Sequence, residues 1–156
     1  MAPSAPMVGE LTAAEVVRVV DGDTAIVVLG DGTEERVRFI GIDTPEDTSE
    51  VEEGGPEATA YTTAAVEGVT VFLELDVEER DKYGRLLAYV WLEEPADASE
   101  AEARAKMLNA RILLDGYAHL MTIPPNVAYV DYLRTYEREA REASAGLWAR
   151  NGDDAS

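Results

Sequence analysis

Short apolar runs occupy the first third of the chain and are separated by glycine-containing turns. The runs at 15–20 and 24–29 are rich in valine, and the run at 36–42 alternates between apolar and polar positions. Alternation with a period of two is typical of strands, and the Asp-Gly and Gly-Asp-Gly sequences between the runs favour tight turns. The pattern predicts a three-stranded meander in which Arg38 lies on an otherwise apolar face.

Two more strands and two helices are predicted farther along the chain. Pro56 suits the first turn of a helix and Gly68 suits its end, so residues 56–67 are predicted to be helical. Residues 128–145 repeat apolar side chains at helical spacing, which predicts an amphipathic helix. Five strands with a helix between the third and the fourth follow the order of an OB-fold barrel. The two further strands are predicted at 69–75 and 86–92.

One domain accounts for most of the chain, because 156 residues are enough for a single hydrophobic core. Residues 1–10 are predicted to form a flexible leader and 151–156 an acidic tail, which leaves 11–150 for the domain. Residues 47–55 are polar and acidic, so we expect a mobile loop there. No apolar run approaches the ~18 residues that span a membrane, and no signal-peptide pattern is visible. The absence of cysteine excludes disulfides and thiolate metal sites.

Three short segments carry side chains that are typical of a phosphodiesterase site. Isolated carboxylates bind hard divalent cations, arginines bind phosphate oxygens bidentately, and a nearby glutamate can act on a water. Taken alone, Asp23 and Asp43 are also explained as turn formers, the arginines as partners in surface ion pairs, and Asp21 as a structural turn residue. The segments are Asp21-Gly22-Asp23-Thr24, residues 38–46 with Asp43-Thr44-Pro45-Glu46 at their end, and Asp81-Lys82-Tyr83-Gly84-Arg85.

The order and spacing of these segments resemble the thermonuclease (staphylococcal nuclease-like) family from about residue 16 to about residue 148. The resemblance implies a five-stranded OB-fold barrel with three α-helices, the second at 107–115, so the predicted fold class is α+β and mainly β. Residues 95–106 exceed the family's connection at this point and have Ser99 and Glu102 at capping-box spacing, which predicts a partly helical insertion. Further matches are Gly55-Pro56-Glu57-Ala58, Leu87-Ala88-Tyr89-Val90, Asp115-Gly116-Tyr117-Ala118 and Gly146-Leu147-Trp148.

The same resemblance implies Ca²⁺-dependent hydrolysis of DNA and RNA that leaves 3′-phosphate products. It assigns the carboxylates of Asp23 and Asp43 to the Ca²⁺ ion, together with the backbone carbonyl of Thr44. These are oxygen ligands, which Ca²⁺ prefers.

The resemblance assigns phosphate binding to Arg38 and Arg85 and the activation of a water molecule to Glu46. The sequence leaves open whether Glu46 is a general base or only orients the water. Lys82 and Tyr83 are candidates for the phosphate pocket, although a solvated charge and packing at a strand end explain them equally well.

Two departures from the family pattern affect substrate binding. Many members have a lysine-rich loop after the second metal-binding aspartate, whereas residues 47–55 here are acidic. The family stacks a base on tyrosines, whereas residues 120–123 here contain no aromatic side chain. Because base–aromatic stacking is worth ~1–3 kcal/mol per base, we expect weaker nucleotide affinity. The family's proline that follows a cis bond aligns with Pro125, which predicts a cis peptide bond between Pro124 and Pro125.

The net charge of −19, from 13 basic and 32 acidic residues, is unusual for a protein that binds phosphate. Only two of the basic residues are lysines. Acidic excess with scarce lysine is typical of adaptation to high salt, where a Debye length of about 3 Å at 1 M screens self-repulsion. The plainer interpretation is an acidic protein kept soluble by its charge.

The favoured hypothesis is a salt-tolerant, Ca²⁺-dependent nuclease that is secreted or exposed at the cell surface. We expect a monomer that acts on single-stranded or frayed DNA and RNA without involving a membrane. One alternative is a catalytically weak OB-fold module that binds nucleic acid or protein, although the retained acidic residues and arginines argue against it. Another is a scaffold that is engineered for stability or adapted to a host, and whose acidity serves solubility.

Overall fold

The computed structural model describes residues 6–47 and 51–149 of the chain. Parts of the predicted leader and mobile loop, at 1–5 and 48–50, and the predicted tail at 151–156 lie outside these residues. The strands are β1 (Leu11–Asp21), β2 (Thr24–Leu29), β3 (Glu34–Phe39), β4 (Ile42–Asp43), β5 (Thr70–Glu74), β6 (Leu86–Trp91) and β7 (His119–Leu120). The helices are α1 (Gly55–Val66), α2 (Glu100–Lys106), α3 (Leu108–Leu114) and α4 (Val130–Glu142).

Five strands form a closed barrel in the order β1-β2-β3-β6-β5, which confirms the predicted architecture. All neighbours are antiparallel except β3 and β6, which run parallel for three residue pairs from Val37–Leu86 to Phe39–Ala88. Inward-facing side chains such as Val37 and Phe39 are buried in one core that also receives α3 and α4. In the part of the chain that the structure describes, no helix has the length and apolar character needed to cross a membrane.

The third predicted strand is shorter than its pattern indicated, and this places the end of β3 at the site. The run at 36–42 breaks at Ile40-Gly41, and Ile42 begins the separate strand β4, which pairs with β7. Gly41 has a φ of 85°, a conformation that side-chain-bearing residues rarely adopt. A Cβ at that position would also collide with the side chain of Leu133 on α4. The chain therefore turns after β3 and brings Asp43 back beside Arg38.

The predicted insertion forms a helix of its own, so the described residues contain the four helices named above, where three were predicted. Ser99 begins α2, because its Oγ accepts a hydrogen bond from the backbone N–H of Glu102 at 3.3 Å. Buried Met107 separates α2 from α3. Arg104 joins α2 to α4 through two hydrogen bonds of 2.8 Å to Glu139. The insertion is thus packed against the domain.

A buried glutamate ties the described part of the predicted leader to the barrel. Glu74 is fully buried, and its Oε2 accepts hydrogen bonds from the backbone N–H groups of Val8 and Gly9 at 2.6 and 3.2 Å. Its Oε1 accepts from Trp91 Nε1 at 3.0 Å and from the Tyr129 hydroxyl at 2.9 Å. Four donors therefore satisfy a carboxylate that would be costly to bury alone.

Candidate active site

The three sequence segments meet at one end of the barrel because of the strand register. Thr24 of β2 pairs with Arg38 of β3, which in turn pairs with Leu87 of β6, two residues beyond Arg85. The turn between β1 and β2, the end of β3 and the hairpin before β6 are therefore neighbours. They surround a polar cavity of about 400 Å³. Its lining includes every predicted metal-binding and catalytic residue: Asp23, Arg38, Asp43, Thr44, Glu46 and Arg85.

Asp23 is buried and held in one orientation, with only 6% of its surface exposed. Its Oδ1 accepts a hydrogen bond from the Thr24 hydroxyl at 2.9 Å, and its Oδ2 accepts from the backbone N–H of Thr44 at 3.0 Å. The guanidinium of Arg38 lies 3.3 Å from the same Oδ2. This carboxylate therefore links the first two sequence segments.

Arg38 lies between the two predicted metal-binding carboxylates. Its second terminal nitrogen contacts Asp23 and lies 3.5 Å from Oδ1 of Asp43, whose side chain is 59% exposed. The first terminal nitrogen donates to the backbone carbonyls of Phe39 and Ile42 at 2.9 and 2.8 Å. The unfavourable position predicted for a charged side chain is thus compensated by carbonyls and carboxylates. Partial burial raises the pKa of Asp43, and the charge of Arg38 opposes that rise.

Asp81 orients Arg85 at the base of the hairpin before β6. The Nε of Arg85 donates to Asp81 Oδ2 at 2.7 Å, and the Asp81 Oδ1 accepts from the backbone N–H groups of Tyr83 and Arg85, both at 3.0 Å. Within residues 6–47 and 51–149, the terminal nitrogens of Arg85 form no hydrogen bond or ion pair with protein. Arg85 therefore points into the cavity with donors available for a phosphate.

A further ion pair anchors this hairpin to β3. Arg80 donates to both carboxylate oxygens of Glu35 at 2.9 and 2.8 Å and to the carbonyl of Gly84 at 3.0 Å. The sequence alone predicts neither the pairing of Arg80 with Glu35 nor the orienting role of Asp81, because both depend on how β3 and the hairpin meet in space.

Lys82 and Tyr83 are not brought into the cavity. Both are exposed at the tip of the hairpin, and Tyr83 is 72% exposed. The Nζ of Lys82 lies 5.2 Å from the centroid of the Tyr83 ring, and Cζ of Arg85 lies 5.5 Å from it. Their assignment to substrate binding remains a prediction, and neither contributes to the wall of the cavity.

A smaller cavity of about 150 Å³ adjoins the polar one, with Arg38 and Arg85 in both linings. Its other walls are mostly apolar and include Met121 and Ile123. Residues 120–123 supply no aromatic side chain to it. The peptide bond between Pro124 and Pro125 is cis, which confirms the prediction, and Pro125 lines this cavity.

The sequence predicts a structural turn residue at Asp21, and the structure also places Asp21 at the polar cavity. It lines the polar cavity, and its Oδ1 is buried without a hydrogen-bond partner. Burial, followed by its interactions with the neighbouring Asp23, raises the pKa of Asp21 to about 7. The Asp-Gly-Asp sequence could have indicated this position, because a tight turn places both aspartates at the same end of the barrel.

The oxygen atoms of the cavity fit a hard divalent cation. In the described ranges, no three or more acidic or histidine side chains form a closed ligand cluster. Asp23 and Asp43 nevertheless face one cavity, where Asp21 Oδ1 and Thr44 Oγ1 are buried without partners. All four supply hard oxygen donors, and Ca²⁺ commonly completes such a set with carbonyls and waters.

The pKa of Asp21 predicts how this site affects stability without metal. A folded-state pKa near 7 exceeds the usual aspartate value of about 3.9, so folding favours the protonated form. The contribution of the group to stability is therefore fully present below about pH 4 and is lost as the pH rises through 7. Asp21→Asn should accordingly have a higher Tm than the parent at pH 8 in EDTA, with a smaller difference at pH 5. A variant that is no more stable at pH 8 would contradict the prediction.

Two arginines and several oxygen donors lie around one polar cavity at the end of the closed barrel, and these are the groups that a phosphodiester hydrolase needs to hold a phosphate and a metal ion. The family described as Staphylococcal nuclease homologue matches residues 36–150. Over 138 residues the chain is 38% identical to the thermonuclease of Staphylococcus intermedius and 34% identical to that of Staphylococcus hyicus. Each alignment covers 86% of this chain and 75% of the relative. Endonuclease YncB of Bacillus subtilis is 34% identical over 140 residues, covering 86% of this chain and 61% of that protein.

The chain belongs to the staphylococcal nuclease family, and it is a nuclease. The family resemblance, the barrel and the enzyme class predicted from the sequence are thereby confirmed.

Proposed function

We propose that this nuclease is a Ca²⁺-dependent phosphodiesterase that cleaves single-stranded or frayed DNA and RNA and leaves 3′-phosphate ends. The observation that supports this most strongly is the position of Arg38 between Asp23 and Asp43, with Arg85 on the same cavity. Cationic and anionic groups around one polar space suit a phosphodiester and a metal ion that must be held together.

Each residue then has a defined chemical task. Arg38 and Arg85 bind the non-bridging oxygens of the scissile phosphate, whose negative charge grows in the transition state. Glu46 lines the same cavity and holds the attacking water, whose oxygen bonds to phosphorus as the bond to the 5′ oxygen breaks. The water gives up one proton in this step, and the departing 5′ oxygen takes up one proton. The products are a 3′-phosphate and a 5′-hydroxyl. Ca²⁺, when bound by Asp23, Asp43 and Thr44, supplies Lewis acidity and fixes the position of the phosphate.

The adjoining apolar cavity supports the preference for unpaired strands. It is bordered by the same two arginines, so a phosphate held there places its nucleoside at the entrance to this cavity. A base in a duplex is stacked and paired, whereas a base in a single strand is free to enter. Met121 and Ile123 offer apolar contact without the stacking that an aromatic ring provides, so binding of each base should be weaker.

The ends of the products test the proposed reaction. Denatured DNA and RNA should be cleaved in the presence of Ca²⁺ to fragments with 5′-hydroxyl ends. Polynucleotide kinase should therefore label these fragments directly, without prior treatment by phosphatase. Fragments that accept label only after phosphatase treatment carry 5′-phosphates and would contradict the proposed bond cleavage.

We also propose that the acidic surface adapts the enzyme to salt. Screening should stabilise a domain of net charge −19, so its Tm should rise with NaCl. Phosphate binding should weaken with salt by about 0.7 in log K per log[salt] for each phosphate contact. The total slope should be shallow, because few cations face the cavity. Tm and initial rate should be measured on one NaCl series. A flat or falling Tm, or a steep loss of rate below ~0.5 M NaCl, would overturn the proposed adaptation to salt.

Secretion of the enzyme, or its exposure at the cell surface, stays a prediction.

A further inference from the structure

A third arginine lines the polar cavity and has no part in the reaction described above. Arg36 is exposed and lies two residues before Arg38 on β3. Alternate residues of a strand share one face, so Arg36 and Arg38 lie on the same side, about 6.8 Å apart along the strand. Arg36 is therefore placed one step outward from the scissile phosphate.

The strand register extends this position into a row across the barrel. Arg36 of β3 pairs with Ile26 of β2, and Ile26 pairs with Arg18 of β1. Neighbouring strands are about 4.8 Å apart, so the backbones at Arg18 and Arg36 are about 10 Å apart, on either side of Ile26. Both arginines are exposed, and they form what we call the outer arginine row: Arg18 and Arg36.

The outer arginine row is not neutralised by the protein's own acids. Arg80 and Arg104 of this acidic chain are paired, with Glu35 and Glu139 respectively. Among the described residues, neither Arg18 nor Arg36 forms an ion pair within 4.0 Å or a side-chain hydrogen bond. Two uncompensated cations beside a phosphate site suit a second phosphate better than a structural role.

Acidic side chains limit how far this row extends. Glu15 of β1 and Glu34 of β3 both pair with Val28 of β2, so they form the next row outward on the same face. Both glutamates are exposed. A polynucleotide that passes the outer arginine row therefore meets negative charge, which confines favourable contacts to the phosphate nearest the reaction centre.

We propose that Arg36 and Arg18 bind the backbone phosphate adjacent to the scissile one in polynucleotide substrates. The proposal rests on the proposed nuclease function and deepens it, because it makes the enzyme prefer strands over single phosphodiesters. Guanidinium groups bind phosphate oxygens bidentately, and contacts of this kind carry no base sequence information. Residues 47–55 contain no lysine, unlike the corresponding loop of many family members. The outer arginine row thus provides the affinity for the strand that this loop does not.

Two substrates of different length separate this role from catalysis. A 12-nucleotide single strand has neighbouring phosphates, whereas a dinucleoside monophosphate has only the scissile one. Arg36→Ala should lower the ratio of kcat/KM for the 12-mer to that for the dinucleoside by about tenfold, mainly through KM. Arg18→Ala should act in the same direction. Each substitution should also reduce the slope of log K against log[salt] for the 12-mer by about 0.7.

Arg138→Ala is the matched control, because it removes the same charge from an exposed position on α4, away from the cavity. It should leave the substrate ratio and the salt slope unchanged. If Arg36→Ala behaves like Arg138→Ala, or lowers kcat equally on both substrates, the proposal is overturned.

Binding measured without turnover keeps the test independent of the proposed function. The fluorescence anisotropy of a labelled 12-mer should show weaker binding by Arg36→Ala and Arg18→Ala than by the parent and Arg138→Ala. If the parent cleaves neither substrate but this difference persists, the nuclease proposal fails and the outer arginine row stands. Equal binding by all four proteins would overturn the row whether or not cleavage occurs.

Discussion

Chelation of divalent cations should abolish hydrolysis of DNA and RNA, and Ca²⁺ should restore it. Without a cation, a phosphate entering the cavity meets the carboxylates of Asp23 and Asp43 with only partial compensation from Arg38. The available donors are oxygens, which favour Ca²⁺ over softer metals. Release of acid-soluble nucleotides should be measured in EGTA and across a Ca²⁺ titration, with Mg²⁺ and Zn²⁺ supporting little turnover. Full activity in excess chelator would contradict the metal site.

Two variants locate the ion. Asp23→Asn and Asp43→Asn should each raise the Ca²⁺ concentration needed for half-maximal activity, because each loses a charged ligand. They should also reduce the increase in Tm that Ca²⁺ produces in the parent by binding the folded state. Asp131→Asn is the control, because Asp131 lies on α4, its side chain is 90% exposed, and its carboxylate pairs with Arg134. A Ca²⁺ response in both site variants equal to that of the control would remove these ligands from the site.

Arg38→Ala and Arg85→Ala should each lower kcat by ~10²–10³-fold, the usual loss when one charge-stabilising donor is removed. The two side chains are oriented independently, Arg38 by the carbonyls of Phe39 and Ile42 and Arg85 by Asp81. Loss of one therefore leaves the other in place. Single-turnover rates at saturating Ca²⁺ measure the chemical step, and Glu46→Ala should reduce it comparably.

Arg134→Ala controls for the removal of an exposed arginine from α4. Circular dichroism at the assay temperature should confirm that each variant is folded, because Arg38 also satisfies backbone carbonyls. Near-parental turnover by both arginine variants of the cavity would refute their assignment to the phosphate.

Local patterns predicted the elements better than they predicted the contacts between them. The valine-rich runs and their turns identified β1 and β2, and Pro56 and Gly68 bracketed α1, because these signals act over a few residues. The predicted end of β3 was wrong because the chain turns at Gly41, where the side chain of Leu133 on α4 leaves no room for a Cβ. Leu133 is far from Gly41 in the sequence, so no local pattern indicates this contact. The packing of α2 likewise depends on Glu139, 35 residues beyond Arg104.

The residues of the candidate site were also predicted only where a local sequence pattern indicated them. Asp23, Arg38 and Asp43 were predicted because their spacing matches a family pattern. Asp21 and Arg36 were not, since only the barrel geometry shows that both line the same cavity. A side chain that gains its role from a neighbouring strand leaves no signal within its own segment.

The short parallel pairing of β3 with β6 ties the chemistry to the closure of the barrel. Only three residue pairs form this seam, against six between β1 and β2, and parallel pairing is slightly weaker per residue. Arg38 lies within the seam and Arg85 immediately precedes it on the other strand. A fluctuation that parts these strands therefore separates the two guanidinium groups while the rest of the fold persists. The N–H of Ile40 donates to the carbonyl of Ala88 across this seam at 2.9 Å. The free energy of that opening, accessible from hydrogen exchange of the Ile40 amide, sets the fraction of molecules competent to react at each temperature.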